Sequence, residues 1–177
     1  MLREIIVWPD PVLKKTAEPV TTFDEALRTL VADMFETMYS ADGVGLAAPQ
    51  VGLLKNLIVL DTRPRQPESK PVAMINPVIL VKEGATTYME GCLSLPGEAE
   101  EVARAANVRV KFQDVDGTEH EYDCDGLLAI AVQHETDHLH GIMVTDHISA
   151  LKRELIRKRM KRLKANKAAS RDSSASI

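Results

Sequence analysis

Two cysteines, Cys92 and Cys124, are all that 177 residues contain, too few for a disulfide framework. A reduced chain is the simplest reading, and a lone thiol in it suits chemistry better than stapling. Long apolar runs are also missing. NLIVL and GLLAIAV are among the longest, well short of the ~20 residues that span a bilayer. The N-terminus, MLREIIVWPDPVL, carries charge inside its apolar stretch and has no small-residue cleavage pattern, so no signal peptide is read and a cytoplasmic protein with no membrane partner is expected. No internal repeat is present. What remains is a chain with 45% hydrophobic residues, enough for one domain with a real core but not for two.

The net charge of −4 hides a segregation. From Leu151 onward there are ten Lys or Arg against two acids; before it, twelve against twenty-four. An acidic body with a basic tail suggests two tasks in one chain.

The stretch TTFDEALRTLVADMFETMYSADG reads as a first long helix, with Thr22 and Glu25 matching a capping box. GVGLAAPQVG is too irregular for helix. NLIVLD and VAMINPVILV read as strands, separated by the polar loop TRPRQPESK. NVRVKFQDVDGTEHEYDCDG alternates around Asp116-Gly117, a hairpin signal. CDGLLAIAVQHETDHLHG has helical apolar spacing and stops at Gly141, suited to the residue just past a helix end. The expected fold is α+β: small antiparallel or mixed strands around a central helix, with helices at both ends. The expected organisation is one catalytic domain over residues 1–150, a basic helix over 151–167, and a disordered tail over 168–177.

The chemistry is concentrated in HETDH. Residues four apart share a helix face, so His134 and His138 project together and can grip one ion. Glu135 lies about 100° round from His134, where it can reach water at that ion without being a ligand. Two imidazoles hold the metal and the glutamate moves protons. His120, His140 and His147 read as surface or locally bonded residues. Asp137 is open between holding a neighbouring group and standing in solvent.

A catalytic site normally takes three protein ligands. The extended motif H-E-x-x-H-x-x-G-x-x-H is excluded because Val144 stands at its last position. Glu154 sits in a basic run that reads as solvent-facing. EGCLSLP offers Cys92 in an extended turn, and a thiolate with two imidazoles suits Zn(II) or Fe(II). Cys124 is the competing sulfur, although it reads as an ordinary small residue.

GVGLAAPQVG, EGCLSLP and QHETDHLHG, in this order and spacing, resemble the three signature segments of the peptide deformylases. The similarity extends from the N-terminus to about Lys167. It implies removal of the N-formyl group from the N-formylmethionine of new polypeptides, with release of formate. It implies Cys92, His134 and His138 as ligands of one Fe(II), with Zn, Ni or Co as substitutes. It implies Glu135 as general base, and Gln50 with the Leu93 N–H as donors to the developing oxyanion. Gly43, Val44, Gly45, Glu90, Gly91, Arg104, Ile130 and Ala131 would meet substrate, the methionine side chain lying near Val44, Ile130, Ala131 and the Tyr88–Cys92 chain. A general HExxH metallopeptidase is the alternative reading.

In the tail, Ile148, Leu151 and Leu155 form one apolar cluster on a helical wheel, and Ile156, Met160 and Leu163 a second. The expectation is that the first docks on the body while the second half projects. By the resemblance, such a basic helix docks near the ribosomal exit tunnel. A monomer is expected.

Overall fold

Hydrophobic period and turn residues divide the described residues into three α-helices and seven strands, with short 3-10 turns between them. In the computed structural model, which describes residues 1–174 and side chains through residue 166, α1 is Glu25–Ser40. β1 is Gly45–Ala47, β2 Leu57–Leu60, β3 Val72–Glu83, β4 Thr86–Gly91, β5 Ala99–Arg104, β6 Asn107–Gln113 and β7 Glu119–Cys124. α2 is Gly126–Leu139 and α3 is Ala150–Ser174. Five strands form an antiparallel sheet in the order β1-β2-β3-β6-β7, and β4-β5 form a separate hairpin. The α+β expectation holds.

All four residues of β2 are buried, because the large sheet is covered on both faces. Leu57 and Val59 join Leu27, Leu30, Met34 and Met38 of α1. Ile58 and Leu60 join Ala129, Ala131 and Val132 of α2. Cys124 is buried in this second cluster, as the small core residue the sequence suggested.

The helix ends show how the sequence sets the site. α1 is capped two residues after the expected cap residue, Thr22: the Asp24 carboxylate accepts from Leu27 N–H at 2.9 Å. A charged oxygen at that position outcompetes the more distant Thr22 hydroxyl. α2 starts after Asp125, whose side chain makes no capping bond. Its cap comes from the polar loop instead: Gln66 Oε1 accepts from Leu128 N–H at 3.0 Å, and Gln66 Nε2 donates to Asp125 at 3.0 Å. The far end stops at Gly141, φ +71°, with Ile142 N–H donating to Asp137 O at 2.9 Å. The hairpin also forms, with Gly117 at φ +82° in the turn after the Gln113–Glu119 pair.

Two expectations for the C-terminal segment are corrected. Leu151 and Leu155 are exposed, at 72% and 46%, whereas Ile156 and Met160 are buried. Ile156 and Met160 of the second cluster dock, because Trp8, Leu13, Leu95 and Val102 supply their socket; of the first cluster only Ile148 packs against it, and Leu163 of the second stays exposed. Charge supports the same face: Lys152 pairs with Glu100, Arg159 with Glu98 and Lys164 with Asp10. The helix also continues through Ser174, over most of the expected disordered tail. Ala168, Ala169 and Arg171 favour helix, and no Gly or Pro stops it. Residues 175–177 lie outside the described residues. Met160→Ala is expected to cost about 2–4 kcal/mol in chemical denaturation, and Leu151→Ala less than about 0.5 kcal/mol. Equal losses would return the docking face to the other cluster.

Candidate metal and catalytic site

Segments far apart in sequence meet at the end of β4. Cys92 follows that strand in a turn closed by Leu95 N–H donating to Cys92 O at 2.8 Å. His134 and His138 face it from successive turns of α2. Their Nε2 atoms lie 3.2 Å apart, and His138 Nε2 is 3.4 Å from Cys92 Sγ. The three donor atoms fall within 4.8 Å of one another. Two imidazole nitrogens this close need a proton or a cation between them, so this donor set fits a metal ion. Glu154 lies elsewhere, paired with Arg157 on α3.

The electrostatics agree. Burial opposes charge on His134, but Cys92, Glu90 and Glu135 outweigh it and hold its pKa well above the usual histidine range. Burial and the neighbouring His134 drive His138 well below that range. Glu135 is buried in the cavity wall. Burial pushes its pKa up to about 7, against the pull of His134, and its Oε2 has no partner among the described residues. A buried carboxyl that exchanges its proton near neutrality is equipped for proton transfer.

Gln50 stands behind the cysteine. Its Oε1 accepts from Ala47 N–H at 2.8 Å, and its Nε2 donates to Ser94 Oγ at 3.1 Å, lying 3.6 Å from Cys92 Sγ. The amide is therefore fixed with its donor end toward the sulfur. Ser94, fully buried, was missed in the sequence; a hydroxyl between two leucines in the cysteine motif was the available signal.

A cavity of about 650 Å³ opens over these groups. Gly43, Val44, Gly45, Glu90, Gly91, Leu93, Ile130 and Ala131 all line it, as does Glu135. Gly45 belongs to the edge strand β1, and there is no room for a side chain: a Cβ would fall 2.8 Å from Glu135 Cγ. Tyr88 and Leu127 complete the apolar wall, and Arg65 reaches it from the loop before β3.

Arg104 is not part of that wall, and the expected contact with substrate is corrected. Its guanidinium is buried, held by Glu90 at 3.0 Å and Asp137 at 2.6 Å. Glu90 Oε1 lies 3.6 Å from His134 Nδ1. Arg104 therefore braces a carboxylate behind a metal-site imidazole, and such support orients a ligand histidine. Asp137 belongs to the same brace and also accepts from His147 at 2.9 Å.

The model of the family described as "Polypeptide deformylase" matches residues 2–154. The chain belongs to this family. Curated peptide deformylases of Thermodesulfovibrio yellowstonii and Acidobacterium capsulatum are 52% and 49% identical to it, over 89% and 92% of this chain and 96% of each relative. The crystal structure of a Legionella pneumophila peptide deformylase superposes with a TM-score of 0.88 at 43% identity, over 95% of this chain and 98% of that one. A peptide deformylase of Ehrlichia chaffeensis, solved in complex with actinonin, gives 0.87 at 35% identity, over 91% and 96%. Membership makes the chain a metal-dependent hydrolase of the formyl amide on N-formylmethionyl peptides rather than a general metallopeptidase. Among the described residues, no helix is long and apolar enough to cross a membrane.

Proposed function

We propose that Cys92, His134 and His138 hold one Fe(II), and that Glu135 carries the proton through deformylation of nascent chains. The convergence of these three donors beside the unpartnered Glu135 Oε2 carries the reading. The choice of iron rests on resemblance, since a thiolate with two imidazoles also suits zinc. When bound, the ion supplies Lewis acidity and makes water nucleophilic at neutral pH. Glu135 takes a proton as water oxygen bonds to the formyl carbon, then gives it to the amine as the C–N bond breaks and formate leaves. Gln50 Nε2 and the Leu93 N–H are the proposed donors to the formyl oxygen as charge develops on it. The peptide main chain adds to the open edge of β1 near Gly45, which accepts any sequence because backbone groups do the holding. Ile130, Ala131, Val44 and Tyr88 receive the methionine side chain. Formate release from formyl-Met-Ala-Ser, by protein purified without oxygen and loaded with Fe(II) or Ni(II), tests this reading. No release from fully metallated protein would overturn it.

The proposal extends to place of action: a monomer in the cytoplasm, with residues 1–150 as catalytic domain, working at the ribosomal exit. Lys158, Lys161 and Arg162 are exposed on the side of α3 opposite Ile156 and Met160, and pair with no carboxylate among the described residues. Such a face suits phosphate backbones. Reversing these three charges is expected to abolish co-pelleting with ribosomes at low salt; unchanged pelleting would sink the idea.

A further inference from the structure

The charged groups around the cavity are not equivalent. Glu98 is neutralised by Arg159, which grips it at 2.5 and 2.7 Å. Glu90 is neutralised by Arg104. Arg65 is the exception among the cations: it is exposed and pairs with no carboxylate among the described residues, and its guanidinium donates from Nη1 to the Tyr88 hydroxyl at 3.4 Å. Its position is not incidental. The loop bearing it is tied to the start of α2 by Gln66 and closed on itself by Thr62 Oγ1 donating to Ser69 Oγ at 2.7 Å. The guanidinium is thereby held on the Tyr88 and Leu127 side of the cavity. The exposed anion of the lining, Asp42, belongs to the segment leading into β1.

We propose that Arg65 is a specificity residue favouring an acidic side chain at the third position of the formyl-peptide. This rests on the proposed binding of the peptide along β1. In an extended chain, side chains alternate, so residues one and three point to the same side, roughly 6–7 Å apart. With methionine in the pocket beside Tyr88, residue three emerges on the side of Arg65, and residue two points away from it. A guanidinium there attracts a carboxylate and repels an ammonium group. The Arg65 side chain bonds to Tyr88 and to none of the metal-site or proton-transfer groups, so the effect is one of binding and falls on KM rather than kcat.

The test uses the metal-loaded enzyme and amidated peptides formyl-Met-Ala-Xaa-Ala, with Xaa as Asp, Asn or Lys. Wild-type kcat/KM is expected to favour Asp over Asn by about two- to fivefold at low salt, the range of a solvent-exposed ion pair. The preference should shrink toward one in high salt. Arg65→Gln should erase it, Arg65→Glu should invert it in favour of Lys, and Arg65→Lys should keep most of it. A wild-type ratio of one, or a ratio untouched by Arg65→Gln, overturns the proposal. Failure to hydrolyse even the Asn peptide would instead strike at the deformylase reading beneath it.

Discussion

Glu135→Gln is expected to lower kcat for a formyl-Met peptide by about 10²- to 10⁴-fold, the usual contribution of a positioned acid–base group. Glutamine keeps the shape that packs against Gly45, so the edge of β1 and the cavity wall should survive. It lacks only the ability to take a proton and return it. KM and metal content should therefore stay close to the parent values, and the loss should appear in kcat. Gly45→Ala is an independent probe of the same geometry. Its Cβ would press on Glu135 Cγ and Cδ, at 2.8 and 2.9 Å, moving the carboxyl rather than removing it. Activity within tenfold of the parent for Glu135→Gln would place the proton carrier elsewhere.

How much of this was legible in sequence depends on the range of the interactions. HETDH declared itself because a spacing of four is a purely local fact of helix geometry. Gly141 was legible for the same reason. The third ligand was harder: Cys92 was favoured on local grounds, and only the three-segment resemblance singled it out. Arg104 was misplaced because a strand position says nothing about Glu90 and Asp137 arriving from other elements. α3 was read in the wrong register because its two apolar clusters look alike on a helical wheel. The choice between them is made by Trp8, Leu13 and Leu95, which come from elsewhere in the chain. Arg65 carried no signal at all, since an irregular loop has no period from which to read its direction.

Cys92→Ala is the second substitution with a large expected effect. Removing one of three ligands leaves His134 and His138 as a bidentate pair, and metal affinity should fall at least about 100-fold, since even supporting groups around ligands are worth 10–100-fold. Metal per chain after dialysis against a weak chelator should drop well below one, and deformylation should vanish with it. Melting temperature separates this from simple misfolding. Adding metal stabilises a protein that binds it in the folded state, so the parent should melt higher with metal and the variant should not respond. Without metal the two should melt close together, because Cys92 lies in a half-buried turn outside the main sheet. Cys124→Ala supplies the opposite control. Burial, with Asp123 and Asp125 adding, raises the Cys124 thiol to about 11, and the residue sits among Val108, Val110 and Phe112. Losing that sulfur should cost some stability and no metal. A Cys92→Ala protein that still retained one ion per chain would remove the cysteine from the ligand set and reopen the metallopeptidase reading.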